Sequence, residues 1–236
     1  MNRTKIEWTD YTWNPVTGCL HNCPYCYGRK IANRFKKLFP MGYLPTFYSN
    51  RLEEPYNSVP KNFRSRNPHL PKGSAMIFTV SMGDLFGIWV PREWIYPILK
   101  VVKDNPQHVF QFLTKYPIRY SYSKFEFPRN AWIGATLDGV KLSNLREVRS
   151  WLLKAKKPSV RFLSFEPLLK QPSILGPDDF EGIDWIIIGA QTNPYKPPKP
   201  EWVEHIVKSA KKLEIPVFLK DNLRWPEKIQ EFPEAR

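Results

Sequence analysis

The sequence predicts an α/β fold, specifically a partial TIM-type (β/α) barrel of about six to seven parallel strands. Short runs of β-branched and aromatic residues alternate with segments of helical period, at intervals of roughly 25 residues. The runs form one evenly spaced series. No glycine-rich dinucleotide fingerprint follows the first run, so a barrel is favoured over an open doubly wound sheet.

Six runs have the composition of buried strands. They are AMIFTV at 75–80, HVFQFL at 108–113, AWIGAT at 131–136, VRFLSF at 160–165, DWIIIG at 184–189 and PVFLK at 216–220. Because strands that alternate with helices are joined by right-handed crossovers, the six are expected to be parallel.

Three segments between these runs are predicted helices. They are PREWIYPILKVVKD after the first run, SNLREVRSWLLKAKK before the fourth and KPEWVEHIVKSAKKLE before the last. In the last segment Trp202, Ile206 and Ala210 are spaced four residues apart, which is the period of a helix face.

We predict a single domain over residues 1–236, because no internal repeat or low-complexity tract marks a boundary. Residues 40–74 contain six prolines, which exclude a continuous helix. Since so long an irregular connection in a compact domain is more often functional than passive, it is predicted to cover the site.

Composition and charge narrow the function classes. Apolar residues make up 42% of the chain, yet no stretch is long enough to span a bilayer, and MNRTKIEWTD lacks the apolar run of a secretory signal. We therefore expect a soluble, cytoplasmic protein. The formal charge of +14 favours phosphate-bearing partners, although charge runs such as KNFRSR at 61–66 also occur on surfaces that serve only solubility.

Polar residues follow every predicted strand. In a parallel barrel the carboxyl ends of the strands form one rim, which carries the chemistry of such folds. Each residue taken singly also fits a turn or a helix cap. The set is Ser81, Gly83, Asp84, Thr114, Lys115, Thr136, Asp138, Ser164, Glu166, Gln191, Thr192, Lys220 and Asp221.

All three cysteines lie in CLHNCPYCY at residues 19–27, with the spacing C-x3-C-x2-C. An odd number of clustered cysteines is a poor disulfide framework, so a metal site in a reducing compartment is expected. One candidate is zinc held by the cysteines and His21, although that spacing is cramped. The other is a four-iron four-sulfur cluster, in which three cysteines bind three irons and leave the fourth iron open.

CLHNCPYC is similar to the C-x3-C-x-aromatic-C signature of radical S-adenosylmethionine (SAM) enzymes, with Tyr25 as the aromatic residue. The chain also resembles a phage-associated and prokaryotic family of radical-SAM-like proteins of undefined substrate. The matching stretches are TKIEWTDYTWNPVTGC, SMGDLFG, QFLTK, SFEPLL, IIIGAQT and PVFLKDNL. The resemblance implies reductive cleavage of SAM to a 5′-deoxyadenosyl radical, which abstracts hydrogen from a substrate.

The resemblance also implies roles for individual residues. Cys19, Cys23 and Cys26 resemble the cluster ligands, and Tyr25 is expected near the adenine of SAM. Ser81, Met82, Gly83 and Asp84 stand where the family has a Gly-Gly-Glu element, so the shorter Asp84 is expected to accept a hydrogen bond from the SAM ammonium. Gln191, after Gly189 and Ala190, is expected at the adenine, and Glu166 at the ribose hydroxyls or the substrate.

The implied partners are SAM, an external one-electron reductant of flavodoxin or ferredoxin type, and a nucleic acid or phosphorylated substrate. No cysteine follows residue 26, so no second cysteine-ligated cluster is expected. Lys61, Arg64 and Arg66 are predicted to face the barrel mouth. The alternative function is a non-catalytic nucleic-acid-binding protein with a structural iron-sulfur or zinc site.

Overall fold

The strands of the protein form one large sheet and two small ones. The structure is a computed structural model that describes residues 1–122, 125–156, 158–174 and 176–234. The strands are β1 (Asn2–Arg3), β2 (Tyr11–Trp13), β3 (Val16–Thr17), β4 (Thr46–Phe47), β5 (Met76–Thr79), β6 (Val109–Thr114), β7 (Ala131–Thr136), β8 (Val160–Phe165), β9 (Trp185–Ile188), β10 (Gln191–Thr192), β11 (Tyr195–Lys196) and β12 (Val217–Leu219).

Hydrogen bonding joins eight strands in the order β1-β2-β5-β6-β7-β8-β9-β12. All neighbours in this sheet are parallel except β1, which pairs with β2 in the antiparallel direction. The six predicted strands are therefore confirmed. Strand β2 was not predicted, because three residues beside Asn14 and Pro15 are too short a run to show a strand pattern.

The helices lie mainly in the connections between the parallel strands. They are α1 (Tyr27–Arg34), α2 (Glu54–Asn57), α3 (Arg92–Asp104), α4 (Ile118–Tyr122), α5 (Leu145–Lys154) and α6 (Pro200–Lys212), with 3-10 turns at Ser49–Arg51, Pro177–Phe180 and Asp221–Leu223. The three predicted helices are confirmed as α3, α5 and α6. Asn144 caps α5 by accepting a hydrogen bond from the Glu147 amide at 3.2 Å.

The sheet is concave on the face that holds Trp8. The ring centroid of Trp8 lies 4.8 Å from that of Phe78 on β5, 6.2 Å from Phe162 on β8 and 6.3 Å from Trp185 on β9. In a flat sheet β5 and β9 would be about 19 Å apart, which is too far for one ring to contact side chains from both. The other face of the sheet packs against α3, α5 and α6.

The proline-rich segment at 40–74 reaches both ends of the sheet. Its first part forms β4, which pairs with β3 beside the cysteines. Its last part lies at the amino ends of the strands, where the Arg66 guanidinium donates to the carbonyl oxygens of Thr4 and Ile6, at 2.9 and 2.6 Å. The prediction that Arg66 faces the carboxyl ends of the strands is therefore wrong, because backbone carbonyls bind its side chain at the opposite end.

Among the described residues, no helix is long and apolar enough to cross a membrane.

Candidate functional site

The segment that carries the cysteines is fixed at its start by two glycines. Gly18 adopts φ +89°, and its amide donates to the carbonyl oxygen of Met82 at 2.8 Å. A Cβ on Gly18 would lie 2.1 Å from the carbonyl oxygen of Leu44, and a Cβ on Gly83 would lie 2.8 Å from that of Gly18. Only glycine permits this contact, which places residues 19–26, the cysteine loop, over the segment that follows β5.

Asn14 adds a second connection beneath the cysteine loop. Its side-chain oxygen accepts from the Met82 amide at 2.9 Å, and its amide nitrogen lies 3.2 Å from the Ser81 hydroxyl. The Tyr27 hydroxyl donates to the carbonyl oxygen of Ser81 at 2.6 Å. The predicted site residues Ser81 and Gly83 thus contact the residues that flank the cysteine loop on both sides.

The three cysteines are free thiols at the amino end of α1. Cys23 is buried, and the other two are half-buried. Cys26 caps α1, since its sulfur accepts from the Arg29 amide at 3.4 Å, and this sulfur lies 3.5 Å from the hydroxyl of Tyr43. Burial raises the pKa of the Cys19 thiol to about 12. A bound metal would have to supply the positive charge that a thiolate needs in this position.

The donor set fits an iron-sulfur cluster better than a single zinc ion. Zinc requires four donors around one ion at about 2.0–2.3 Å. Within the described ranges, no three histidine, cysteine or acidic side chains are gathered closely enough to hold one metal ion. A four-iron cluster instead takes each thiolate at a different iron. His21, the fourth candidate zinc ligand, is hydrogen-bonded to Asp84.

Asp84 is buried, and its carboxylate forms hydrogen bonds with both the cysteine loop and the end of the sheet. Its side chain lies 2.8 Å from Nε2 of His21 and accepts from the Thr114 hydroxyl at 2.7 Å. The backbone amides of Phe86 and Lys115 each donate to it at 3.0 Å. Because both carboxylate oxygens already have protein partners, a bond to the SAM ammonium would have to share or replace one of them.

A second group of contacts joins the cysteine loop to the ends of β6 and β7. The hydroxyl of Tyr25 donates to Asp138, whose carboxylate lies 3.7 Å from the ammonium of Lys115. The same ammonium lies 5.6 Å from the centre of the Tyr25 ring. Tyr25 is thus held at the carboxyl ends of the parallel strands, which we call the mouth.

Asp138 is fully buried, and its ionisation depends on these neighbours. Burial alone would raise the pKa of Asp138. The charge of Lys115 and the hydrogen bonds from Tyr25 and from the backbone amides of Val140 and Lys141 outweigh burial, so the pKa lies below its usual value. Asp138 is therefore a carboxylate at neutral pH.

Glu166 and Lys220 form an ion pair across the end of β9. Between them lies Gly189, on which a Cβ would be 3.0 Å from Cδ of Lys220 and 3.1 Å from Cγ of Glu166. The glycine therefore leaves room for the two side chains to meet. Ser164 lies near the end of β8, and its buried hydroxyl has no hydrogen-bond partner among the described residues.

The remaining predicted residue, Gln191, lies in the β10–β11 hairpin beside the mouth. Its side-chain amide donates to the carbonyl oxygen of Pro194 at 2.8 Å. The Lys30 ammonium, on α1, donates to the carbonyl oxygen of Asn193 at 3.1 Å. The hairpin is thus connected to the helix that follows the cysteines.

The structure brings the predicted residues together in two groups. Tyr25, Ser81, Gly83 and Asp84 contact or underlie the cysteine loop, whereas Glu166 lies with Lys220. Lys115, Asp138 and Lys220 are identifiable from the sequence as polar residues after strands. The position of Tyr43 beside Cys26 was not predicted, because an aromatic residue in an irregular segment gives no signal of its contacts.

A family model described as "Protein of unknown function (DUF5131)" matches residues 3–233. No curated protein matches the chain. Two solved structures of spore photoproduct lyase have a similar fold, each at 13% identity over 89% of this chain. One is a cysteine-to-alanine mutant with dinucleoside spore photoproduct (TM-score 0.54), and the other is complexed with the same dinucleoside (TM-score 0.50). The match spans 63% of each lyase chain.

Proposed function

The chain belongs to the DUF5131 family of proteins of unknown function, and we propose that it is a radical SAM enzyme. In this proposal Cys19, Cys23 and Cys26 hold a four-iron four-sulfur cluster, and SAM binds its open iron. The observation that carries the proposal is the C-x3-C-x-aromatic-C loop at the mouth of a parallel sheet. Spore photoproduct lyase, whose fold is similar, is a radical SAM enzyme.

We further propose that the sheet is a partial barrel. The contacts of Trp8 with β5, β8 and β9 support this assignment, because they require the strands to curve around one side chain. The polar residues after the strands would then surround a single opening, with the cysteine loop at one side.

When bound, the cluster and SAM would supply a 5′-deoxyadenosyl radical that removes a hydrogen atom from the substrate. The chain has to orient these groups and exclude water. The glycine contact between residues 18 and 83 fixes the cysteine loop, while the Tyr25–Asp138 bond fixes the aromatic residue of the motif. The aromatic rings around Trp8 fill the concave side of the sheet beneath the strand ends.

The SAM contacts are assigned as follows. Tyr25 and Gln191 lie at the adenine side, and Glu166 is available to ribose hydroxyls or to the substrate. Asp84 accepts from the SAM ammonium or positions the loop through His21, with Ser81 and Gly83 shaping the intervening backbone. The many hydrogen bonds of Asp84 within the protein support the positioning role.

We propose a nucleic acid or a phosphorylated metabolite as substrate. The support is the formal charge of +14. Titrating the protein with mixed tRNA and duplex DNA over a salt series separates the two classes. For a polymer, a plot of the logarithm of affinity against the logarithm of salt concentration should have a slope of about −0.7 to −0.9 for every phosphate contact. For a small metabolite, which makes few such contacts, the slope should be shallow.

The decisive experiment is anaerobic reconstitution with iron and sulfide, followed by incubation with SAM and dithionite. The proposal requires iron with acid-labile sulfide in the protein and formation of 5′-deoxyadenosine. Bound zinc, or nucleic-acid binding by a protein that cleaves no SAM, would instead support a non-catalytic protein with a structural metal site.

A further inference from the structure

Helix α1 begins directly after Cys26 and has an exposed apolar face. Tyr27, Ile31 and Phe35 are spaced four residues apart, so they lie along one side of the helix. Gly28 and Ala32 form the buried side. The apolar exposure continues into the turn that follows, through Leu38, Met41 and Leu44, and also includes Leu20 on the cysteine loop. We call these seven side chains the α1 patch; each is between 37% and 67% exposed.

The concentration of apolar residues is specific to this region. Seven of the fourteen exposed large apolar side chains in the described parts of the chain lie within residues 20–44. Single exposed apolar residues are ordinary, whereas a grouped set indicates an interaction surface. Aromatic residues and methionine, both present in the α1 patch, are enriched in protein–protein interfaces, while nucleic-acid interfaces are more polar.

The charge around the α1 patch has one sign. From Tyr11 to Leu52 the chain has no acidic residue and six basic ones: Arg29, Lys30, Arg34, Lys36, Lys37 and Arg51. Elsewhere the chain contains 22 acidic residues, so their absence here is not a matter of overall composition. A protein that covers the α1 patch would need an acidic rim to match this charge.

The α1 patch lies on and beside the helix that follows the proposed cluster ligands. Cys26 caps α1, so a protein seated on the exposed face of this helix lies beside a proposed cluster ligand. The sequence contains no cysteine after residue 26, and therefore no second cysteine-ligated cluster that could carry electrons inward. Electrons must then come directly from outside the chain.

We propose that the α1 patch docks an acidic one-electron carrier protein of flavodoxin type. This inference rests on the proposed function, because it assigns the carrier to a cluster at the cysteine loop. In the step itself the reduced carrier loses one electron and the oxidised cluster gains it; no bond is formed or broken. Apolar contacts with Ile31, Phe35 and Leu38 would hold the carrier, and the surrounding basic residues would steer it.

The test compares two reductants on the reconstituted protein. Photoreduced acidic bacterial flavodoxin is the protein donor, and dithionite is the small donor that needs no docking surface. Formation of 5′-deoxyadenosine is measured for wild type, for Lys36→Glu with Lys37→Glu, and for Phe35→Ser with Leu38→Ser. The matched control is Lys211→Glu with Lys212→Glu, an equal charge change at exposed neighbouring positions at the end of α6.

We expect both α1 variants to lose at least tenfold in the flavodoxin-driven rate at low salt and to stay within twofold of wild type with dithionite. The α6 control should match wild type with both donors. Equal flavodoxin-driven rates in wild type and the α1 variants would overturn the proposal. An equal loss with dithionite would also overturn it, since the substitutions would then act on the site itself.

Binding of oxidised flavodoxin, measured by fluorescence anisotropy, separates this inference from the proposed function. If wild type cleaves no SAM even with dithionite, the proposed function fails, and the binding measurement still tests docking. Binding that weakens at least tenfold in the α1 variants supports the docking surface. No binding to wild type, or equal binding to all variants, contradicts it.

Discussion

Nε2 of His21 lies 2.8 Å from the buried carboxylate of Asp84, although 63 residues separate them in the chain. The contact connects the centre of the cysteine loop to the end of the sheet, because Asp84 also accepts from the hydroxyl of Thr114, the last residue of β6. The rings of His21 and Trp89 also pack edge to face, with ring centroids 4.8 Å apart. The position of the loop is therefore coupled to a buried polar network.

Replacing Asp84 with Ala should lower the free energy of unfolding by about 2–4 kcal/mol, because several buried donors lose their acceptor. Thr114→Val removes one of these donors and leaves the carboxylate, so its effect should be smaller. Urea denaturation of the apo protein measures both. A stability equal to wild type in Asp84→Ala would contradict the network.

SAM affinity gives a separate measurement on the same residue. If Asp84 also accepts from the SAM ammonium, Asp84→Ala should weaken SAM binding by roughly 1.5–3 kcal/mol while iron content is retained. His21→Ala serves as the comparison, since it alters the loop without removing the carboxylate. Unchanged SAM affinity in Asp84→Ala would assign the residue to positioning alone.

Substitution of Cys19, Cys23 or Cys26 with Ala, one at a time, should abolish both the iron-sulfur absorption of the reconstituted protein and all SAM cleavage. Each thiolate is expected to hold a different iron, and the chain has no other cysteine to replace it. Iron and sulfide analysis together with visible absorption provides the measurement. Iron-sulfur absorption that persists in the triple variant would refute the ligand assignment.

The glycine contact at the start of the loop predicts different effects for two glycines with positive φ. Gly18→Ala places a Cβ against the carbonyl oxygen of Leu44, whereas a Cβ on Gly42, at φ +61°, meets no atom within 4 Å. Gly42→Ala should cost about 1 kcal/mol of unfolding free energy from backbone strain alone. Gly18→Ala should cost more and should lower the iron content after reconstitution. Equal effects of the two substitutions would contradict the contact.

The low pKa of Asp138 predicts a pH dependence of stability. In the unfolded chain this carboxyl titrates near 3.8, and in the folded protein it titrates lower. Its contribution is therefore complete above about pH 4 and is lost as the pH falls through the folded pKa. The free energy of unfolding should fall less steeply below pH 4 in Asp138→Asn than in wild type. Parallel curves for the two proteins would contradict the assignment.

Much of the fold follows from the alternation of buried runs and helical segments, because each parallel strand needs both a continuous apolar run and a crossover. Strand β2 was not predicted, because a run of three residues is too short to show the hydrophobic pattern of a strand. The path of the irregular segment at 40–74 was not predicted either. This path depends on individual contacts, such as those of Arg66 with two backbone carbonyls, and composition alone does not predict such contacts.

Some features of the candidate site could also be predicted from the sequence, and others could not. The cysteine spacing and the polar residues after the strands identify the side chains at the mouth, because these are local features of the sequence. The pairings, such as Lys220 with Glu166 across Gly189, depend on the order of strands in the sheet and on the absence of a side chain between them. Local pattern alone does not predict such contacts.

Trp8 limits how far a bound molecule could extend into the sheet from the strand ends. Its ring and those of Trp132 and Trp185 occupy the concave side of the sheet, so among the described residues this side is filled with aromatic side chains below the strand ends. Under the proposed function, the bond that reacts has to be presented at the level of the strand ends. The size of the molecule that carries this bond is then not limited by the interior of the sheet. A long polymer could react as well as a small metabolite, provided that one of its groups reaches the strand ends.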